Sequence, residues 1–137
     1  EIIEHWELLR NLQDKTGGFR AFIMWSFQGA NTQLKAEIPD IKPQSSNRYL
    51  RLLAVARLYL DNFKNMQSSW VTQGSYVGQL ALKFGANDLG STMMEENVVK
   101  AAGASNRMNQ EEMIRLIKDI GETPAKRNTA YEILERF

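Results

Sequence analysis

The feature that most narrows the possible folds is the alternation of helical patterns with short apolar runs along most of the chain. Residues 2–12 carry apolar side chains at helical spacing, and Gly17 and Gly18 end that helix because glycine readily takes the left-handed conformation. The mostly apolar run over residues 19–27 then predicts a buried strand. Such alternation predicts parallel strands joined by right-handed crossovers, which is an α/β fold.

The remaining elements of the alternation are predicted from the same signals. They are a helix over residues 48–63 capped by Ser45 or Ser46, a strand over 66–72, a short helix opened by Ser75, and a strand over 88–91. Thr92 and Glu95 have the spacing of a capping box, so another helix is predicted to follow up to residue 102. Residues 28–46 show no clear period, which is more typical of a lid or binding loop than of a plain connector.

The last third of the chain is predicted to be a helical extension. Asn109 with Glu112 caps an amphipathic helix that Gly121 ends. Thr129 with Glu132 predicts one more short helix, which would run through Tyr131, Ile133 and Leu134. We therefore predict two parts, residues 1–104 with the alternating elements and residues 105–137 as the extension.

Three predicted strands are too few for a buried parallel sheet, and two open edges invite pairing with another chain. The chain also begins on Glu1, inside a helical pattern and without an initiator Met. Both observations predict an internal segment of a larger fold, with homo-oligomerisation through the open sheet edges as an expectation for the isolated chain.

Composition excludes several classes of site and partner. There is no cysteine, so these residues hold no disulfide, thiolate nucleophile, zinc–thiolate site or iron–sulfur ligand. The single histidine, His5, lies in an amphipathic pattern and is interpreted as structural, so no metal site is predicted. The formal charge of +1 argues against nucleic acid as a main partner, and no apolar stretch approaches a membrane span.

Polar side chains cluster where the predicted strands end, which is the active face of parallel α/β folds. Amides and hydroxyls of this kind orient polar ligands by hydrogen bonds. Asp88 is the most distinctive, because an acid at a strand end near glycines has few structural partners. Its neighbours have structural alternatives: loop backbone contacts for the first strand end, turn chemistry for Gln73, and helix capping for Glu95.

Two segments carry a resemblance to a known family. The segment TGGFRAFIMWSFQGANTQL, residues 16–34, resembles radical SAM enzymes of the menaquinone pathway. The segment QSSWVTQGSYVGQLALKFGANDLGSTMMEENVVKAAGA, residues 67–104, is more specifically similar to the cyclic dehypoxanthine futalosine synthases. Family members commonly have Pro where Met24 stands and Pro-Gly where Gly29-Ala30 stands, so the first loop is expected to differ in shape.

The resemblance implies the C-terminal portion, about three βα units, of a radical SAM (β/α)8 TIM-type barrel plus the extension. It implies S-adenosylmethionine and a [4Fe–4S] cluster held by cysteines in an N-terminal half of the barrel that this chain lacks, a nucleoside substrate, and a cytoplasmic enzyme. Alone, the chain would be inactive. By position, Asp88 would be catalytic, Ile23 and Trp25 would lie near S-adenosylmethionine, and the substrate would meet Gln28, Asn31, Thr32, Gln73, Ser91 and Glu95.

Two other interpretations stay open at this point. In the first, the parent protein is a sister enzyme, either aminofutalosine synthase or an enzyme of the deazaflavin FO synthase type. Alternatively, the chain is a non-catalytic half-barrel that binds a ligand or completes a partner, because it shows no acid–base pair or nucleophile.

Overall fold

The computed structural model describes residues 1–29, 32–92 and 106–137, which form two short sheets and their surrounding helices. The helices are α1 (Ile2–Thr16), α2 (Gln33–Glu37), α3 (Ser46–Tyr59), α4 (Trp70–Gln73), α5 (Ser75–Ala81), continued by the 3-10 turn Leu82–Phe84, and α6 (Gln110–Asp119). The strands are β1 (Ala21–Ile23), β2 (Asn65–Gln67), β3 (Ala125–Arg127) and β4 (Ile133–Arg136). No helix in these described ranges combines the length and apolar character that a membrane crossing requires.

The predicted parallel arrangement is confirmed. Strand β1 pairs in parallel with β2, and a single parallel bridge joins Gln67 of β2 to Asp88. The strands are much shorter than the sequence predicts, since β1 covers three residues and the third strand is reduced to this bridge. The fold is therefore mixed α/β, and the three parallel strand positions, β1, β2 and Asp88, lie side by side in the order in which they occur in the chain.

The prediction of a strand over residues 66–72 is wrong in its second half, which is helix α4. The amide of Gln73 donates to the carbonyl of Ser69 at 3.1 Å, and the hydroxyls of Ser69 and Thr72 lie 2.7 Å apart. Trp70 is 1% exposed in a cluster with Val71, Leu89, Met108 and Leu116. Burial of this indole outweighs the preference of β-branched Val71 and Thr72 for a strand.

Helices α1 and α3 build the main core. Gly17 takes the left-handed conformation with φ 56° and ends α1 as predicted, and the side chain of Ser45 accepts from the amide of Arg48 and caps α3. Helix α3 ends at Tyr59, four residues before the predicted end. The largest fully buried core side chains near these helices are Tyr49, Leu53, Leu60, Phe63 and Met66.

The C-terminal segment corrects the prediction of a wholly helical extension. Asn109 caps α6 by accepting from the amide of Glu112 at 2.8 Å, as predicted. The last predicted helix is wrong, because β3 and β4 form an antiparallel hairpin, called here the C-terminal hairpin. Tyr131 has φ 66°, which is incompatible with a right-handed helix, and the Oδ1 atom of Asn128 accepts from the amides of Ala130 and Glu132 to fold the turn.

One arginine and one asparagine hold the N-terminal ends of the parallel strands. Arg57 of α3 donates from Nε to the carbonyl of Gly85 at 2.7 Å and from Nη1 to that of Phe63 at 3.0 Å. The Oδ1 atom of Asn87 accepts from the amide of Met66 at 2.8 Å and from Arg57 Nη2 at 3.2 Å. These bonds fasten the loops that lead into β2 and Asp88 to the helix layer.

Candidate functional site

Three residues from the three parallel strand positions lie in one row across the sheet. Ile23 is the Cα partner of Gln67, and Gln67 is bridged to Asp88. Residues in register on neighbouring strands share a face, and the adjacent pair Phe22 and Met66 faces the α3 core, where Met66 is fully buried. The row Ile23–Gln67–Asp88 therefore lies on the other face, where Ile23 is 37% exposed.

The carboxylate of Asp88 is engaged by three donors. Its Oδ2 atom accepts from Arg127 Nη2 at 2.5 Å and from the Tyr131 hydroxyl at 2.9 Å. Its Oδ1 atom accepts from the amide of Gly90 at 2.9 Å. The expectation that this acid has few structural partners is wrong, because the C-terminal hairpin supplies two of them.

The environment of this ion pair raises the pKa values of the two side chains that donate to Asp88. The side chains of Arg127 and Asp88 are 23% and 10% exposed, and the guanidinium lies 4.0 Å from the centre of the Tyr131 ring. Burial and then the hydrogen bond to Asp88 raise the pKa of Tyr131 to about 12. For Arg127, burial alone would lower the pKa, but the hydrogen bond and charge of Asp88 raise it.

Alkaline pH should therefore destabilise the folded state through Tyr131. Unfolded tyrosine ionises near 10.0, whereas folded Tyr131 keeps its proton up to about 12, so the unfolded state is favoured as pH rises through this window. We expect the wild type to lose stability relative to Tyr131→Phe over that window, as measured by denaturant midpoints at a series of pH values. An identical pH dependence in the two proteins would contradict the burial of this hydroxyl.

The predicted residues of the first two strand ends meet around Ser26. Gln73 donates from Nε2 to the Ser26 hydroxyl at 2.8 Å, and Gln28 donates to the Ser26 carbonyl at 3.1 Å. Thr32 caps α2 by accepting from the amide of Lys35 and donates to the carbonyl of Gly29. Gln28 and Thr32 therefore have a structural use in the loop, while Gln73 connects two strand ends.

The other predicted positions divide into exposed residues and residues outside the described ranges. Trp25 is 52% and Phe27 43% exposed, so these aromatic rings are not core residues, and Ile23 is also accessible. Ser91 is exposed beside Asp88. Asn31 and Glu95, together with the predicted helix after Thr92, lie outside the residues that the structure describes.

A cavity of about 710 Å³ lies between the segment after Asp88, helix α6 and the C-terminal hairpin. Asp88, Ser91 and Arg127 contribute polar groups to it, and α6 contributes the apolar side chains of Met113, Ile114 and Ile117. A mostly apolar cleft with a few convergent polar groups is the usual form of a small-molecule site. Gln28, Thr32 and Gln73 are not among its lining residues, so the structure brings Asp88 and Ser91 together but not all predicted residues.

Sequence reasoning missed Gln67, Arg127 and Tyr131. Gln67 was detectable as the residue next to the apolar Met66 in the predicted strand, which places it on the opposite face of the sheet. The two hairpin residues carry no local signal, because they reach Asp88 across 39 and 43 residues of chain.

Comparisons with known proteins place this chain in a family. A family model described as the CofH/MqnC C-terminal region matches residues 16–137. The chain is 50% identical over 98% of its length to the cyclic dehypoxanthine futalosine synthase of Streptomyces coelicolor, covering 33% of that protein, and 47% identical over 97% to the enzyme of the same name from Halalkalibacterium halodurans, covering 35%. It is 40% identical over 98% to the 5-amino-6-(D-ribitylamino)uracil–L-tyrosine 4-hydroxyphenyl transferase of Methanococcus maripaludis, covering 38%. The chain thus spans about a third of the length of these curated relatives.

Proposed function

The chain belongs to the CofH/MqnC C-terminal region family, and from this we propose that it is part of a radical SAM enzyme that cyclises dehypoxanthine futalosine in menaquinone biosynthesis. The observation that carries the proposal is the 50% and 47% identity to two proteins named cyclic dehypoxanthine futalosine synthase, over nearly the whole chain. The enzyme we propose is cytoplasmic, acts on a small nucleoside, and contains an N-terminal half of the barrel in addition to these residues.

We propose that residues 1–104 complete a (β/α)8 barrel and that residues 105–137 form an extension against it. The parallel order of β1, β2 and Asp88 supports this placement, because consecutive strands of such a barrel pair in that way. The polar residues that follow these strands then lie at the face where barrel enzymes hold their substrates.

The proposed cofactors differ in how they fit this chain. In the proposed whole enzyme, S-adenosylmethionine and a [4Fe–4S] cluster would supply radical chemistry. The chain has no cysteine, so its residues do not fit the cluster, and we propose that the cluster ligands lie in the other part of the barrel. Ile23 and Trp25 are accessible apolar side chains at the end of β1, which suits contact with an adenosine.

The proposed substrate contacts centre on Asp88. Its carboxylate serves the reacting nucleoside as the catalytic group, with Ser91 beside it at the cavity. Gln28, Asn31, Thr32, Gln73 and Glu95 are proposed as further contacts from the strand ends. For Gln28 and Thr32 this role is additional to the loop hydrogen bonds that they make.

The experiment that tests the function is turnover by the full-length protein that contains this chain. The protein, purified without oxygen and with its cluster reconstituted, is given S-adenosylmethionine and dehypoxanthine futalosine. We expect the cyclic product together with 5′-deoxyadenosine, and no product from the 137-residue chain alone. The absence of product from the full-length protein would overturn the proposal.

The second candidate function is that of a sister enzyme. Among the sister enzymes, the 40% identity to a 4-hydroxyphenyl transferase favours that activity, and aminofutalosine synthase is a further alternative. To test for the transferase activity, the full-length protein is given 5-amino-6-(D-ribitylamino)uracil and L-tyrosine in the same assay. A non-catalytic half-barrel subunit would turn over none of the substrates.

The isolated chain should self-associate if it is a piece of a barrel. Its parallel sheet, within the described ranges, consists of β1, β2 and the bridge at Asp88, so both outer strand positions expose unpaired backbone groups. We expect light scattering of the 137-residue chain to show dimers or larger species. A monodisperse monomer would count against the half-barrel.

A further inference from the structure

We propose that Arg127 and Tyr131 of the C-terminal hairpin are positioning residues, which hold the carboxylate of Asp88 in the orientation in which it meets the substrate. This inference rests on the proposed function, because it assigns a role to residues that act through Asp88. It gives the hairpin a part in the reaction beyond packing.

The hydrogen bonds to Asp88 fix both of its oxygen atoms. The amide of Gly90 holds Oδ1 from within the same loop. Arg127 and Tyr131 converge on Oδ2 from the hairpin, at 2.5 and 2.9 Å. With donors on both oxygens, the carboxylate cannot rotate about its χ2 bond without losing at least one charge-assisted hydrogen bond.

The hairpin backbone is shaped to deliver these two side chains. The register shifts between Lys126 and Arg127, and such a bulge re-aims the side chain that follows it. Tyr131 has φ 66°, a conformation that costs free energy in a residue with a large side chain. Asn128 holds the turn in that conformation through its bonds to the amides of Ala130 and Glu132.

Burial of apolar surface does not explain the hairpin. All four residues of β4 are exposed, and Ile133 and Leu134 are 52% and 61% accessible. The Asp88–Arg127 pair is the least exposed ion pair among the described residues. The desolvation of a partly buried ion pair offsets much of its attraction, so stability alone does not explain this pair, whereas an orienting role for Asp88 does.

The test is a double-mutant cycle in the reconstituted full-length enzyme. Tyr131→Phe removes one hydroxyl and keeps the ring, and we expect it to lower kcat about tenfold while KM stays within about twofold. In the background of Asp88→Asn the same change should have little further effect, because a residue that acts through Asp88 has nothing left to orient. Tyr76→Phe is the matched control, since Tyr76 is 72% exposed on α5, and it should leave kcat unchanged.

The outcomes separate this inference from the proposed function. If the loss of kcat in the double mutant is the product of the two single losses, the positioning role is overturned. It is also overturned if Tyr131→Phe leaves kcat unchanged, or if its loss of kcat is accompanied by a raised KM and a lowered thermal midpoint, which a general loss of structure would produce. The cycle is run with whichever substrate the wild type accepts. Turnover of 5-amino-6-(D-ribitylamino)uracil and tyrosine in place of the futalosine overturns only the substrate assignment, and no turnover of either overturns both proposals.

Discussion

Asp88→Asn in the full-length enzyme is expected to lower turnover by at least about 100-fold, with a loss of about 1–3 kcal/mol in the free energy of unfolding. Asparagine keeps the shape of the side chain and a carbonyl that accepts from Arg127 and Tyr131, but its NH2 group cannot accept from the amide of Gly90. The substitution also removes the negative charge opposite a half-buried guanidinium, and these two losses account for the lower stability. The larger effect on turnover follows if the carboxylate itself serves the substrate.

Turnover and denaturant unfolding of the same preparations measure the two effects. Asp61→Asn is the matched control, because Asp61 pairs with Arg10 at 2.8 Å on the surface, with side chains 65% and 38% exposed. It should change the free energy of unfolding by less than about 1 kcal/mol and leave turnover unchanged. If the loss of turnover in Asp88→Asn is no larger than its loss of folded protein explains, Asp88 is a structural residue.

Gly85→Ala is expected to destabilise the fold by about 2–4 kcal/mol. Gly85 has φ 107°, and a Cβ atom there would lie 2.6 Å from the Cβ and 2.9 Å from the Cγ of Arg57. Arg57 cannot withdraw without losing its bonds to the carbonyls of Gly85 and Phe63. The substitution therefore combines backbone strain with the loss of a hydrogen-bonded contact.

Gly121→Ala separates the two contributions. Gly121 has φ 78°, but a Cβ atom at this position would have no neighbouring atom within 4 Å, so only backbone strain of about 1 kcal/mol is expected. Denaturant unfolding of both variants gives the comparison. Equal destabilisation would show that the contact with Arg57 contributes nothing.

Local signals in the sequence predicted the helix ends but not the strand lengths or the hairpin. Gly17, Ser45 and Asn109 end or begin their helices as expected, because a cap depends on residues close in the chain. Thr129 and Glu132 also have capping spacing, yet Asn128 accepts from the Glu132 amide that a Thr129 cap would need, and from the amide of Ala130, and so forms a turn. The spacing of Thr129 and Glu132 alone does not reveal which side chain takes those donors.

The candidate site was predictable only where it depends on strand ends. Asp88 lies at the third parallel strand position and Ser91 comes three residues later, and both line one cavity. Arg127 and Tyr131 complete the surroundings of Asp88 by tertiary contact, and no spacing or period in the sequence encodes that approach.

The network of Arg57 and Asn87 has a consequence for where this chain can tolerate substitutions. It fixes the register of the sheet at the N-terminal ends of the strands, opposite to the ends that lead to Ser26 and Ser91. Substitutions in the loops at those opposite ends should therefore leave the strand pairing intact.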